Sequence, residues 1–215
     1  MKDKLVKIGL IGFGSVGKQL FNTLSENGIG KEQIYIFDDN LIRDEDQNVF
    51  KFSEFKSEQF KDIQFIPTLG YLSKNLRLEI IQYLKDNNLK IFSFIHPTAF
   101  VSKSAKIGVG VIIYPLCNID QGCIIEDGTI ILNSSIVAHD SVIGTCSYLA
   151  PGVCVSGFVK IGALSFIGTS ASIANNISIG RNATIAIGTC VTKDIHENSF
   201  VIGNPMQVKD SIKLI

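Results

Sequence analysis

The stretch Ile125-Glu-Asp-Gly-Thr-Ile-Ile131-Leu-Asn-Ser-Ser-Ile-Val137-Ala-His-Asp-Ser-Val-Ile143 returns a large aliphatic residue to every sixth position. Followed outward in both directions, the same phase runs unbroken from Ile95 to Val191, and every position in it is Ile, Val or Leu. At an apolar share of 46%, chance gives such a run in one chosen phase roughly two times in a million. Four places after each of these residues stands a small or apolar one, as at Ala99, Ala105, Cys117, Cys123, Thr129, Ser135, Ser147, Ala171 and Ala183. Glycine often follows the aliphatic residue directly, as at Gly108, Gly144, Gly162, Gly168 and Gly180.

A period of six excludes an α-helix, whose face returns every 3.6 residues, and exceeds simple strand alternation. It fits a coil of three short strands with an aliphatic residue pointing inward on each flat side. Stacking successive coils about 4.8 Å apart turns equivalent positions into ladders. The small residues four places on are expected near the tight corners. A parallel β-helix of hexapeptide repeats, a little over five coils long, is therefore predicted from Ile95 to Val191. An ordinary β-sandwich would need irregular strand spacing and a different rhythm of turns.

Composition narrows the partners. Twenty basic and twenty acidic side chains in 215 residues cancel, and no block of like charge marks a nucleic-acid or membrane-surface partner. Charged residues make up only 19%, against about a quarter in ordinary domains. No apolar run approaches the roughly 20 residues needed to span a bilayer. The start, Met1-Lys-Asp-Lys-Leu-Val-Lys-Ile-Gly, reads as the approach to a buried strand and not as a signal peptide. Five cysteines without a CxxC pair supply neither a disulfide nor a zinc framework, so no metal is expected and the cytoplasm is the expected compartment.

The first ninety residues have a different grammar. Lys7 to Phe13 reads as a buried strand, Gly12-Phe-Gly14-Ser-Val-Gly17 as a turn, and Lys18 to Asn27 as a helix. A second strand, Gln33 to Phe37, ends in Asp38-Asp39. Ile63 to Leu69 is a third strand, Asn75 to Asn87 an amphipathic helix, and Ile91 to Phe94 leads into the solenoid. The result is a small Rossmann-like βαβαβ unit. Its glycine turn opens a helix whose N–H groups suit a phosphate, with a purely structural turn as the alternative. A dinucleotide oxidoreductase would need a second mononucleotide half, and the solenoid begins too early for one. A mononucleotide or nucleotide-sugar fits better. The domains expected are 1–93, the solenoid 94–200, and a tail 201–215.

A short Rossmann-like unit followed by a hexapeptide β-helix resembles the sialic-acid O-acetyltransferase group. That group includes bacterial nucleotide-amino-sugar N-acetyltransferases such as those acting on bacillosamine and perosamine. The resemblance rests on the glycine turn at 12–17, Phe37-Asp38-Asp39, Ile95-His-Pro-Thr-Ala99, Leu132-Asn-Ser-Ser-Ile-Val-Ala-His139-Asp140 with Val142-Ile-Gly144, and Val201-Ile-Gly-Asn-Pro205. It covers essentially the whole chain. It implies a left-handed solenoid, a homotrimer with active sites at subunit interfaces, and acetyl-CoA as co-substrate. The reaction it implies is acetyl transfer to the amine of a UDP- or dTDP-linked 4-amino-4,6-dideoxy sugar, for bacterial surface glycans such as O-antigen. O-acetylation of a sialic-acid-type sugar and a catalytically silent nucleotide-sugar-binding trimer are the alternatives.

By the same resemblance His139 is the general base, supported by Asp140. An imidazole suits the task, because an amine attacking a thioester must lose a proton near neutral pH. Read from the residues alone, His139 is equally a base or a solvated corner residue. His96 reads as a packing residue at the first coil and His196 as surface. The resemblance further implies Gly157 as an N–H donor to the oxyanion, Ala186 and Ile187 on the pantetheine arm, Lys209 on the coenzyme phosphates, and Asn133 near the sugar. Gly14, Ser15 and Val16 would meet the nucleotide phosphates, Asp38 and Asp39 the base, and Gly70 and Tyr71 the region of the sugar. The chain departs from the family at Tyr148, where several relatives carry a second histidine nine residues after the base and where the tyrosine would hydrogen-bond the acetyl or sugar group at the cofactor site, and in the Phe13 and Val16 positions of the glycine turn.

Overall fold

The computed structural model describes residues 6–41 and 48–209. It divides into two compact units, Met1–Phe92 and Ser93–Ile215. The basic flank at residues 1–5 and the end of the tail at 210–215 lie outside the described residues.

In the first unit, β1 (Ile8–Ile11), β2 (Ile34–Phe37), β3 (Asn48–Phe50) and β4 (Gln64–Pro67) form a parallel sheet in the order β3-β2-β1-β4. The central strand has no polar side because it is buried on both faces, and Ile8, Leu10 and Ile11 are fully covered. Helix α1 (Ser15–Glu26) buries Val16, Leu20 and Leu24, and α2 (Lys74–Asp86) buries Arg77, Ile80, Ile81 and Leu84. Two details differ from the sequence reading. Helix α1 begins directly after Gly14, so Gly17 sits in its first turn, where an added Cβ would lie 2.5 Å from the Gly12 carbonyl oxygen. Ile91 contributes a single bridge to Phe65 instead of a full strand, while the short edge strand β3 is an addition.

The second unit is a solenoid of about six coils whose two-residue strands stack in parallel into three faces. The first face runs from Phe94–Ile95 to Phe200–Ile202, the second from Phe100–Val101 to Cys190–Val191, and the third from Lys106–Ile107 to Ser178–Ile179. Each aliphatic ladder residue from Ile113 to Val191 is at most 2% exposed. The hexad position predicts the interior correctly because each strand presents its second residue inward and its first outward.

The small residues four places on do more than relieve the corners. They form a second interior ladder: Cys117, Cys123, Thr129, Ser135, Ser141, Ser147 and Ser165 are all buried. The hydroxyls are satisfied within the stack. Ser135 Oγ donates to the Ala150 carbonyl (3.0 Å) and accepts from the Val153 amide (3.3 Å), and Ser147 does the same with Gly162 (3.0 Å) and Ser165 (3.2 Å). Cys117 Sγ points at the Leu132 carbonyl at 3.1 Å. Burial pushes the thiols of Cys117 and Cys123 up from their ordinary value.

Just before the second-ladder residues from Cys117 onward the chain turns through positive φ, at Leu116, Gly122, Gly128, Ser134, Asp140, Cys146, Gly152, Phe158 and on to Gly188. Beyond Val191 the stack continues. Phe200–Ile202 pairs with Thr184–Ile185, and Gln207–Lys209 folds back antiparallel upon it. The segment read as a tail thus begins inside the sheet, with Val201 fully buried.

Candidate functional site

His139 and Asp140 occupy the corner between the second and third faces, in the turn linking Ile136–Val137 to Val142–Ile143. The turn sets Asp140 at φ 58°, a conformation aspartate tolerates better than most residues. From there its carboxylate folds back, and Asp140 Oδ2 lies 3.0 Å from His139 Nδ1. A carboxylate only accepts, so Nδ1 is the donor of this bond, and Nε2 is the ring nitrogen left for other partners. Nε2 has no hydrogen-bond partner among the described residues. The His139 and Asp140 side chains are 39% and 47% exposed, so an incoming substrate can reach them.

Two glycines make room for this pair. In the coil on one side, Gly122 lies against the Asp140 carboxylate, and an added Cβ there would collide with Oδ1. In the coil on the other side is Gly157, where a Cβ would fall 2.8 Å from both Cε1 and Nε2 of His139. The imidazole therefore lies over bare backbone. Gly157 is buried, and its N–H makes no hydrogen bond among the described residues; its carbonyl accepts from the Asn176 amide at 3.1 Å. Phe158 completes the corner, its ring perpendicular to the imidazole with centroids 5.0 Å apart.

The other candidates fall elsewhere on the solenoid. Asn133, Ala186 and Ile187 line the corner between the first and second faces, one face away from His139. The Ala186 amide donates to Val201 (2.8 Å) and its carbonyl accepts from Thr189 (3.3 Å). The amide of the 71%-exposed Ile187 has no acceptor among the described residues. Tyr148 projects from the first face, which is opposite the His139 corner of the triangular coil. It is 8% exposed and stacks on Phe166 (5.8 Å, 27°). One chain therefore does not bring Tyr148 to His139. Lys209 lies exposed on the returning strand. The remaining histidines are local: His96 Nδ1 accepts from the Thr98 amide at 3.1 Å, and His196 is a surface residue.

In the first unit, Gly14, Ser15 and Val16 form the start of α1, with no side-chain cap and no acidic residue in the first turn. A Cβ on Gly14 would meet nothing, so the fold does not itself require glycine there. Asp38 ties the turn down: Oδ2 accepts from Phe13 N (2.6 Å) and Oδ1 from Asn40 N (2.8 Å). Asp39 Oδ1 accepts from Phe52 N at 2.9 Å. Both acids line a cavity of about 660 Å³ with Leu41, Val49, Phe50, Lys51 and Glu54.

Gly70 packs beside Val16, and Tyr71 is partly exposed next to it. Sequence reasoning missed the residues that hold this end of the sheet. Buried Thr68 donates its hydroxyl to the Gly12 carbonyl, and fully buried Arg77 donates to the carbonyls of Leu69 and Gly70. The signal for Arg77 was present, since it shares the apolar stripe of α2 with Ile80, Ile81 and Leu84.

No described helix is long and apolar enough to cross a membrane. No family model matches the sequence, and no curated protein matches it. Solved structures do. The acetyltransferase domain of PglB from Neisseria gonorrhoeae, solved also in complex with acetyl coenzyme A, is 27% identical; the match covers 94% of this chain and 98% of that one, at a TM-score of 0.85. PerB from Caulobacter crescentus, in complex with CoA and GDP-perosamine, is 24% identical over 94% of this chain and 97% of that one, at 0.85. WeeI from Acinetobacter baumannii is 23% identical over 95% and 100%, also at 0.85. The two-unit architecture is shared with these solved structures.

Proposed function

We propose that this protein transfers acetyl from acetyl-CoA to the amine of a nucleotide-linked sugar, with His139 as general base. The observation that carries this reading is the His139–Asp140 pair: Nδ1 held by a carboxylate at 3.0 Å, with the ring packed on the bare backbone of Gly157. The similarity to the PglB acetyltransferase domain, which binds acetyl-CoA, supports the co-substrate.

The chemistry follows from these groups. The amine nitrogen attacks the thioester carbonyl, and Nε2 takes the proton that the nitrogen must lose. Asp140 stabilises the imidazolium that forms. The Gly157 N–H donates to the oxygen as negative charge builds on it. Collapse breaks the carbon–sulfur bond, and the imidazolium returns the proton to the departing thiolate. No acyl-enzyme is needed. The free Ile187 amide would bind the pantetheine arm, and Lys209 the coenzyme phosphates. Gly14, Ser15 and Val16 would receive the nucleotide phosphates, which is why glycine stands at a position where the fold leaves open space. Asp38 and Asp39 would border the base, Gly70 and Tyr71 the sugar, and Asn133 the acceptor amine.

The acceptor class we favour is a UDP- or dTDP-linked 4-amino-4,6-dideoxy sugar, made for bacterial surface glycans in the cytoplasm. We also propose that the chain works as a homotrimer. Phe100 and Ile136 on the second face, with Leu116 and Ile187 on its adjoining corner, are 44–71% exposed, an apolar strip suited to a second copy. A thiol-release assay with acetyl-CoA, comparing amino and hydroxyl forms of each nucleotide-sugar, tests the reading. Turnover with the amino form alone is expected. Turnover with hydroxyl acceptors alone would overturn it in favour of O-acetylation.

A further inference from the structure

Phe158 is the residue at the His139 corner that local backbone preference does not explain. Along this corner the positive-φ position is filled by Gly122, Asp140, Phe158 and Asn176. Glycine, aspartate and asparagine accept that conformation at low cost, whereas a bulky aromatic there is a strained choice. Two other bulky residues share that conformation: Leu164, at φ 61°, is buried to 4% exposure, and Leu116, at φ 59° and 66% exposed, stands on the apolar strip at the other corner. Phe158, at φ 58°, is 51% exposed, so core burial in this chain does not offset it. What the ring does touch is the imidazole of His139, at 5.0 Å and 90°. Its own amide donates to the His139 carbonyl at 3.1 Å, which fixes the two residues in register. The residue before it, Gly157, packs its Cα against the same imidazole.

We infer that Phe158 is a positioning residue: it holds the His139 imidazole in the orientation set by Asp140 and walls Nε2 off from bulk water. The inference rests on the acetyl-transfer reading above. Its chemical consequence is selectivity between nucleophiles. A base beside a thioester can activate water as well as an amine. With water, oxygen attacks the carbonyl, the carbon–sulfur bond breaks, and acetate, free thiol and a proton result. An apolar ring at the corner disfavours a water there and leaves the amine as the nucleophile the base meets.

The test compares Phe158→Asn, Phe158→Tyr and His139→Ala, each with thiol release and acetylated sugar measured in parallel. Asparagine tolerates positive φ, so Phe158→Asn is expected to melt no lower than the native protein. Its turnover into acetylated sugar should fall about tenfold or more, and thiol release should exceed acetylated product. Phe158→Tyr keeps the ring and should restore both turnover and the one-to-one ratio. Unchanged turnover and ratio in Phe158→Asn would overturn the inference. So would a fall in melting temperature and turnover together with the ratio still at one, the mark of a structural role alone. Full activity in His139→Ala would instead overturn the acetyl-transfer reading itself.

Discussion

A single methyl group tests the geometry at the His139 corner. A Cβ on Gly157 would stand 2.8 Å from two atoms of the imidazole, so Gly157→Ala must displace the ring. Effects of this size on a positioned base cost about 10²-fold in related cases of misplacement. We expect Gly157→Ala to keep its fold, because the added methyl points at a partly exposed side chain, and to lose at least about tenfold in turnover. Circular dichroism and thiol release together check this; native turnover would show that Nε2 is not the proton acceptor. The sequence marked His139, Asp140 and Gly157 as a resemblance, and the structure brings these three together. It did not mark Phe158 or Gly122, because a contact between successive coils joins residues eighteen or nineteen apart whose types carry no motif.

The elements carry the stability. Ser135 sits between coils, donating to Ala150 and accepting from Val153. Ser135→Ala leaves the Val153 N–H without its acceptor in a buried place, which costs about 1–3 kcal/mol. Val155 belongs to the aliphatic ladder and is fully buried; Val155→Ala is expected to be destabilising through the cavity it leaves. Urea midpoints measure both, and no change in either would contradict the interior described. The buried thiols of Cys117 and Cys123 add a pH dependence. Burial raises their folded-state values, so the folded chain keeps protons that the unfolded chain releases near about 8.5. Their contribution is present below that pH and is lost as pH rises through the folded values. Urea midpoints should fall between pH 8 and 10, and a double Cys→Ala variant should flatten that fall.

At the scale of the whole molecule, the two-unit plan was legible because each half announces itself by a different period. The solenoid ladder from Ile95 to Val191 was read from a six-residue phase, and three strands of the first unit's sheet from their apolar runs and glycine turn. What escaped was set by packing. Helix α1 starts at Ser15, earlier than read, because Gly17 lets the first turn close on Gly12. The small residues four places on proved to be a second interior ladder, since buried serines can satisfy themselves on carbonyls of the next coil. Tyr148 lies on the face opposite His139, a relation that only the triangular cross-section reveals.

The same cross-section frames the assembly. Ile136→Lys places a charge in the apolar strip on the second face, and light scattering is expected to report a trimer for the native chain, as proposed, and a folded monomer for the variant. A monomeric native protein would contradict that part of the account. The most direct measurement is acetyl transfer by His139→Ala, assayed as thiol release with an amino-sugar nucleotide. The variant should match the native melting temperature and assembly and lose at least about 10²-fold in turnover, the usual scale for a general base. Near-native turnover in that folded variant would contradict the account.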